Sequence, residues 1–423
     1  MTNQPEHSTT ILRRSWGWTR FVLAVLGALT MVATRSAPAQ TFSVLHNFTG
    51  GADGANTFSG LYVAPSGVLY GTATHGGTYG AGTVFKLNQL NSSWVFSPLY
   101  EFTGGSDGAL PEGGVVMGPN GALYGTASNG GDNYGGVFEL RPPPMFCRSV
   151  ECYWEESVLH NFTGRPDGEY PIFVNLAFDQ AGDIYGTTLD GGMDDLGTTF
   201  ELTASGGGYT ESILHSFGSG SDGQSPFSGV VLDRAGNVYG VTPSGGTGTT
   251  CSSGCGAVYQ LMPSNGGWLE NVLVNFDGAN GYYPNGNLII DDSGNLYGAT
   301  LGKSGQGSVV YKLAPAGGGF TYSVLYTFIS YCDSYGGVAR DAAGHFFGVC
   351  NGGGTHNDGW IYELTNCSEA CSLIDLHDFS GSDGASPYPG PVLDANGNLY
   401  GTTYLGGRGS CEDGCGVVWE ITP

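Results

Sequence analysis

An aspartate followed by glycine recurs in similar loops along the whole chain, and its carboxylate is the best candidate for a functional group. Five copies have the complete Asp-Gly pair, a sixth is the degenerate Asp277-Gly278, and the seventh lacks the glycine. A ring of carboxylates could bind Ca²⁺ or a hydroxyl-rich ligand. The predicted ligand-binding residues are therefore Asp53, Asp107, Asp167, Asp222, Asp277, Asp333 and Asp383.

The same dipeptide has a purely structural interpretation. Asp can cap backbone N–H groups in a tight turn while Gly supplies a positive φ. Repetition in nearly all copies favours this turn role, and the chain contains no D-x-[DN]-x-[DN]-G calcium loop. We therefore predict no metal site and no cofactor, with Ca²⁺ at the aspartates as the alternative.

No pattern of residues predicts a catalytic centre. The chain has no G-x-S-x-G, H-E-x-x-H, P-loop or dinucleotide motif in a fitting context, and no unique carboxylate pair suited to glycoside cleavage. Four histidines share one repeated position, which is filled by Tyr or Val in the other copies, so packing is favoured over ligation. These histidines are His46, His160, His215 and His377.

The ten cysteines fall in close pairs, which predicts disulfides in an exported chain. Zinc is the alternative, because two C-x3-C pairs could supply four ligands, but those two pairs lie three repeats apart. The predicted pairs are Cys147 with Cys152, Cys251 with Cys255, Cys332 with Cys350, Cys367 with Cys371, and Cys411 with Cys415.

The loops that carry these residues belong to a sevenfold internal repeat. Each copy contains an aromatic-Gly pair, and the spacing runs from 50 residues (297 to 347) to 61 (124 to 185). The pairs begin at Tyr70, Tyr124, Tyr185, Tyr239, Tyr297, Phe347 and Tyr400. Each copy has four strand-like segments, which we label A to D in chain order, and segment B contains the aromatic-Gly pair. Four short strands per repeat of about 50 residues are typical of a β-propeller blade. The sequence predicts an all-β, seven-bladed propeller.

The order of segments predicts how the ring closes. The first segment, Phe42 to Phe48, is of type D, whereas the last, Gly416 to Ile421, is of type C. The N-terminal strand should therefore complete the C-terminal blade, which removes two open sheet edges.

In propeller blades the D-to-A and B-to-C loops emerge on one face, and we expect the functional residues to lie on that face. Glycines at the A-to-B turn, such as Gly236, should adopt positive φ.

Composition and the N-terminus bear on location and partners. Residues 1–39 resemble a signal peptide, with Arg13, Arg14 and Arg20 before an apolar run and a small-residue cleavage site. The general secretory route is favoured, with the twin-arginine route as the alternative, and residues 40–423 are expected to form one domain.

The whole chain has a net charge of −24, which disfavours nucleic acid and membrane surfaces as partners. We expect a secreted or periplasmic monomer.

The segment Gly-Asn-Leu-Tyr-Gly-Thr-Thr at 397–403, followed by Gly-Gly and then Gly-Val-Val-Trp-Glu-Ile at 416–421, resembles the Gloeobacter/Verrucomicrobia-type (GloVer) tandem repeat. The resemblance covers 42–423 and implies an exported bacterial protein with propeller-like repeats. It supplies no catalytic residues. The expected function is a non-catalytic scaffold that binds glycans or protein partners. The alternative is an extracellular polysaccharide hydrolase or lyase with its site at one channel mouth.

Overall fold

The structure is a computed structural model that describes residues 40–131, 133–144, 154–218, 220–302, 307–329, 332–368 and 370–423. Thr41–Thr422 form one compact unit. The predicted signal peptide (1–39) lies outside the described residues. Within the described ranges every regular element is a β-strand, and none of them contains a helix that could cross a membrane.

Seven four-stranded antiparallel sheets are arranged in a ring, which confirms the predicted seven-bladed propeller. Blade 1 has β2 (Tyr62–Val63), β3 (Leu69–Ala73), β4 (Thr83–Leu90) and β5 (Ser93–Glu101). Blade 2 has β6 (Val116–Met117), β7 (Leu123–Ala127), β8 (Gly136–Arg141) and β9 (Glu155–Asn161). Blade 3 has β11 (Ala177–Phe178), β12 (Ile184–Thr188), β14 (Thr198–Ser205) and β15 (Gly208–Ser216), and a separate small sheet beside it joins β10 (Gly168–Glu169) to β13 (Asp190–Gly191).

The remaining blades follow the same order from the inner to the outer strand. Blade 4 has β16 (Val231–Leu232), β17 (Val238–Thr242), β18 (Ala257–Ser264) and β19 (Gly267–Asn275). Blade 5 has β20 (Tyr282–Ile290), β21 (Leu296–Leu301), β22 (Val309–Ala316) and β23 (Gly319–Thr327). Blade 6 has β24 (Ala339–Arg340), β25 (Phe346–Cys350), β26 (Trp360–Thr365) and β27 (Ser372–Asp378). Blade 7 has β28 (Val392–Leu393), β29 (Leu399–Thr403), β30 (Val417–Thr422) and β1 (Thr41–Asn47).

Blade 7 is built from both ends of the described chain. β1 pairs antiparallel with β30, with Thr41 opposite Thr422 and Asn47 opposite Val417. This is the pairing that the segment order predicts. It gives the last blade its outer strand, so that β30 is paired on both sides.

Aromatic side chains form the contacts between neighbouring blades. The phenylalanine that follows each outer strand packs against the strand-C aromatic of the next blade. The ring centroids of Phe48 and Phe85 lie 5.3 Å apart, and those of Phe217 and Tyr259 lie 5.1 Å apart. Both pairs are edge-to-face, the arrangement that aromatic quadrupoles favour. The predicted role of these aromatics as the core between blades is confirmed.

The loops divide between two faces as expected. The D-to-A and B-to-C loops contact each other within a blade, as in the bridges between Ala55 and His75 and between Ala385 and Leu405. On the other face, the A-to-B turn glycine has positive φ in every blade, for example 82° at Gly236.

Disulfides clip several of these loops. They join Cys251 to Cys255, Cys332 to Cys350, Cys367 to Cys371 and Cys411 to Cys415, which confirms four of the five predicted pairs. The fifth predicted pair is not confirmed, because Cys147 and Cys152 both lie outside the described residues. The disulfide between Cys147 and Cys152 therefore stays a prediction, whereas the loops of blades 4, 6 and 7 are covalently closed.

Candidate binding site at the channel mouth

A cavity of about 940 Å³ runs along the inner strands of the propeller. Its walls come from the first strand of several blades, from the D-to-A loops that lead into them and, at the opposite end, from the A-to-B turns of blades 5 and 6, with Asp291, Asp292 and Asp341. A cavity of this volume is in the usual size range of small-molecule pockets. The loops at its entrance therefore define the part of the molecule best placed to bind a ligand.

One residue from each D-to-A connection lines this cavity. In six blades it lies four positions before the inner strand, and in blade 5 it is part of β20. We call this set the mouth ring. It contains five aromatic residues, one glutamate and one asparagine. Its members are Phe58, Glu112, Phe173, Phe227, Asn285, Tyr335 and Tyr388.

The five aromatic members form one continuous arc. Ring centroids lie 5.0 Å apart for Tyr335 and Tyr388, 5.1 Å for Tyr388 and Phe58, 5.1 Å for Phe58 and Phe173, and 4.6 Å for Phe173 and Phe227. All four contacts are tilted or edge-to-face, and each of the five rings is only partly buried. The arc is an apolar surface of flat side chains around a channel.

The backbone that presents these side chains is held in an uncommon conformation. A non-glycine residue with positive φ lies two positions before the ring residue in five blades, with φ of 57° at Asn56, 53° at Leu110 and 54° at Ser225. In blade 3 both Tyr170 and Phe173 have positive φ. Such conformations cost free energy and persist only where surrounding contacts impose them.

Hydrogen bonds from the preceding blade impose this conformation. The N–H of Leu110 donates to the Ala81 carbonyl at 2.9 Å, and the N–H of Ser225 donates to the Leu196 carbonyl at 2.7 Å. The equivalent N–H of Tyr283 donates to the Cys255 carbonyl at 2.9 Å. These D-to-A loops are therefore anchored to the B-to-C loop of the blade before them.

Glu112 is the carboxylate of the mouth ring. Burial raises the pKa of its side chain, and a hydrogen bond from Ser128 acts in the opposite direction. Tyr404 stacks on Phe58 with centroids 4.1 Å apart, and burial together with Tyr388 and Glu112 raises the pKa of its hydroxyl. A partly buried acid is thus set among aromatic rings, where it holds its proton more readily than in water.

Asn285 is the amide of the mouth ring, and it is buried in β20. Two further asparagines lie two residues after the ring position, where the other five blades have glycine. Asn175 Oδ1 accepts a hydrogen bond from Gly114 N at 3.1 Å, and Asn287 Oδ1 accepts one from Gly229 N at 2.8 Å. These bonds join blades at their inner edges and hold the loops of the mouth ring in place.

The seven predicted aspartates lie elsewhere on the same loops and are not among the residues that line the cavity. Asp53 Oδ2 accepts a hydrogen bond from Thr49 N at 3.0 Å, and Asp222 Oδ2 accepts one from Gly218 N at 3.0 Å. Asp277 caps its own turn through Ala279 N. Asp107, Asp167 and Asp383 make comparable local bonds. Asp333 Oδ1 instead accepts a hydrogen bond from Gly302 N, in the B-to-C loop of the preceding blade, at 3.2 Å. The geometry of the other six is that of a capped turn, and ligand binding by all seven carboxylates stays a prediction.

The histidines at the repeated strand-D position are partners of these aspartates. His46 Nε2 and Asp53 Oδ2 are 3.0 Å apart, and the same atoms of His377 and Asp383 are 3.0 Å apart. Tyr100 replaces histidine in blade 1 and donates its hydroxyl to Asp107 at 3.0 Å. The position therefore fastens the outer strand to the loop that follows it.

Sequence reasoning missed the mouth ring. The proline after most D-to-A loops is a visible feature, and the residue directly after Pro111, Pro226, Pro284 and Pro387 is the ring residue. This position is aromatic in five copies and polar in two, so it lacks the uniformity that marks a repeat. Inspecting the residue directly after these prolines would have found four of the seven members.

Comparisons with known proteins agree with this architecture. A family model described as the Gloeobacter/Verrucomicrobia repeat matches residues 30–146, 148–334 and 302–423. A search of curated protein sequences returns no match to this chain. Similar solved structures include a proposed 6-phosphogluconolactonase from Bacteroides uniformis, with 16% identity, a TM-score of 0.50, and 81% of this chain and 88% of that chain covered.

Two further solved structures are similar with lower TM-scores. One is a proposed gluconolactonase, with 15% identity, a TM-score of 0.41, and 73% of this chain and 87% of that chain covered. The other is a proposed oxidoreductase (glucose dehydrogenase) from Thermus thermophilus, with 12% identity, a TM-score of 0.45, and coverage of 90% and 100%. Identities this low concern the fold alone. The family model, by contrast, spans nearly the whole sequence, and the chain belongs to the Gloeobacter/Verrucomicrobia repeat family.

Proposed function

We propose that the mouth ring binds the end of a neutral, hydroxyl-rich ligand such as a glycan, and that the protein acts as an exported binding scaffold. The observation that carries this proposal is the continuous arc of five aromatic rings, with one acid and one amide at the other two positions of the mouth ring. Ligand pockets combine apolar and aromatic walls with a few placed polar groups. The mouth ring has this composition.

Charge supports a neutral ligand. The chain has 37 acidic residues against 13 lysines and arginines, so its field repels anions. Flat aromatic faces offer the apolar C–H faces of a sugar ring a matching surface, and Glu112 and Asn285 can exchange hydrogen bonds with hydroxyls. A protein partner that inserts an uncharged, polar loop into the mouth would satisfy the same groups, and it is the second kind of ligand within this proposal.

The export part of the proposal has separate support. Four disulfides in the described residues indicate an oxidising compartment, extracellular or periplasmic. The signal peptide predicted at 1–39 would bring the chain there.

Binding can be tested with purified protein on a glycan array, followed by calorimetric titration of the best ligand. Replacing Tyr388 by alanine removes the second of the five rings of the arc, and loss of about 1 kcal/mol of stacking predicts an affinity about fivefold weaker. Tyr388→Phe keeps the ring and should bind nearly as well as the natural protein. Tyr79→Ala removes an exposed tyrosine outside the mouth ring and should change nothing. Equal affinity in Tyr388→Ala and Tyr79→Ala would refute binding at the mouth ring.

Hydrolysis is the second candidate, and Glu112 favours it. A partly buried carboxyl with a raised pKa is a suitable general acid. The Bacteroides uniformis propeller is named as a proposed lactonase, which is a reason to include lactones beside polysaccharides in an activity screen. Turnover that Glu112→Gln abolishes while ligand binding persists would replace the scaffold by an enzyme.

A further inference from the structure

The seams between blades carry a second set of polar residues, separate from the mouth ring. The repeated histidine position lies in strand D, the outer strand of each blade. At each seam this position faces the outer strand of the next blade. The facing residue lies four places before the equivalent position of that next blade. His46 stacks on Phe96 with centroids 4.0 Å apart, and His377 stacks on Phe42 at 3.5 Å. In these seams an aromatic ring covers the histidine, and the loop aspartate is its hydrogen-bond partner.

The seam between blades 2 and 3 replaces that aromatic ring by a carboxylate. His160 of β9, Asp167 of the following loop and Glu211 of β15 each direct one ligand atom into the seam, and these three atoms lie within 4.8 Å of one another. His160 Nε2 and Asp167 Oδ2 are 3.4 Å apart. The three side chains come from two different blades, so anything that binds all of them joins the blades.

One atom of His160 and one of Glu211 are buried without a hydrogen-bond partner. His160 Nε2 and Glu211 Oε1 each expose less than 1 Å², and the 3.4 Å contact of His160 Nε2 with Asp167 Oδ2 is an ion pair without hydrogen-bond geometry. Buried polar atoms are almost always paired, and an exception indicates a bound ion or water. Asp167 is oriented by its own turn, since Thr163 N and Gly168 N donate to its two oxygens at 2.9 and 2.7 Å. Such bonds are typical of the residues that position a metal ligand.

We propose that His160, Asp167 and Glu211 bind one divalent cation of the zinc class at the seam between blades 2 and 3. Histidine nitrogen and carboxylate oxygen are common zinc ligands, and three protein ligands leave the fourth tetrahedral position to water. Calcium suits the seam less well because it prefers six to eight oxygen ligands. The ion fastens the outer strand of one blade to that of the next.

The next seam provides an internal comparison. It has the same residue types, with His215 and Asp222 3.3 Å apart and Glu270 on the facing strand. Among the residues that the structure describes, these three do not bring their ligand atoms as close together as the seam of His160 does. Glu270→Gln is therefore a matched control for Glu211→Gln.

The test is a titration of tag-free, chelator-stripped protein with Zn²⁺ in physiological salt and excess Mg²⁺, read by calorimetry and by competition with a chromophoric chelator. One saturable site is expected, and Zn²⁺ should raise the unfolding temperature as its concentration rises above the Kd. Glu211→Gln should weaken the affinity by about 100-fold. Glu211→Phe, which copies the seam of His46 and Phe96, should fold and lose the site.

Three outcomes would overturn the proposal: no saturable binding, an affinity that Glu211→Gln and Glu211→Phe leave unchanged, or an affinity that Glu270→Gln lowers as much as Glu211→Gln does. Circular dichroism of each variant without Zn²⁺ separates loss of the ligand from loss of the fold. Since affinity is measured directly, a change in stability alone does not count for or against the site.

Discussion

The glycine of each aromatic-Gly pair lies beneath an aromatic ring of the neighbouring strand. A Cβ on Gly240 would come within 2.4 Å of the Tyr259 hydroxyl oxygen and 2.5 Å of Cζ. Tyr259 is fully buried in the core between blades, so it has no space into which it could move. The glycine is needed for close packing, whereas the A-to-B turn glycines are needed for their positive φ.

Gly240→Ala is therefore expected to lower the free energy of unfolding by about 1–3 kcal/mol, the usual range for overpacked cores. Gly266→Ala in the same blade is the control, because its Cβ would meet nothing within 4 Å and its φ is not positive. That variant should stay within about 0.5 kcal/mol of the natural protein. Chemical denaturation of both variants measures the difference, and equal stabilities would contradict the packing argument.

The repeated core residues could be predicted from the sequence, whereas the residues of the mouth ring could not. The aromatic-Gly pair recurs in seven copies, so its place in the core follows from repetition alone. Phe58, Glu112 and Asn285 share a structural position but no residue type, and only the closed ring brings them to one channel. The carboxylates that do repeat, such as Asp53, cap turns. Repetition therefore predicted structure, while the candidate binding groups are the positions that vary.

At the scale of elements, β1 is the strand on which ring closure depends. It pairs with β30 through six residue pairs, and the phenylalanine after it, Phe48, is fully buried between blades 7 and 1. The sequence predicted this strand because the segment order left one blade without its fourth strand. It could not predict that inner strands such as β28 shorten to two residues while β20 has nine, since that depends on contacts between blades.

A chain that begins at residue 49 is expected to lose its cooperative unfolding transition and to aggregate, because the edge of β30 becomes free to pair with another molecule. A chain that begins at residue 40 keeps β1 and should behave as a monomer with a single transition. Size-exclusion chromatography and thermal unfolding distinguish the two. A soluble monomer of unchanged stability without β1 would show that the strand is dispensable for closure.

At the scale of the whole molecule, the seams contain buried titratable groups of two kinds. Burial lowers the pKa of His46, His215 and His377, and hydrogen bonds and charge from the loop aspartates oppose this effect. The unfolded chain binds protons at these residues near pH 6.5, where the folded protein does not. Their contribution to stability is therefore present at neutral pH and is lost as the pH falls below about 6.5.

Glu156 and Glu270 have the opposite effect on how the stability of the protein depends on pH. Burial raises the pKa of each to about 7, and the charge of Asp107 adds to the effect on Glu156 as that of Asp222 does on Glu270. The charge of Glu156 also acts on Tyr100, and that of Glu270 acts on Tyr259. His215, paired with Asp222, belongs to the same seam as Glu270. One oxygen of each glutamate is buried without a hydrogen-bond partner, so the ionised form is poorly solvated.

The contribution of these two glutamates to stability should consequently fall as the pH rises from about 5 to 8. A glutamate in the unfolded chain titrates near pH 4.3, so between about pH 4.5 and 7 the folded protein holds protons that the unfolded chain has released.

Replacing Glu156 and Glu270 by glutamine keeps the side chains neutral, and at pH 8 it should stabilise the protein by about 1 kcal/mol per site after solvent screening. Glu155→Gln, at an exposed position beside Glu156, should leave the pH dependence unchanged. Urea denaturation of the three proteins at pH 5, 6, 7 and 8 measures this difference, and parallel pH profiles for the double variant and the natural protein would show that these carboxyls do not control it.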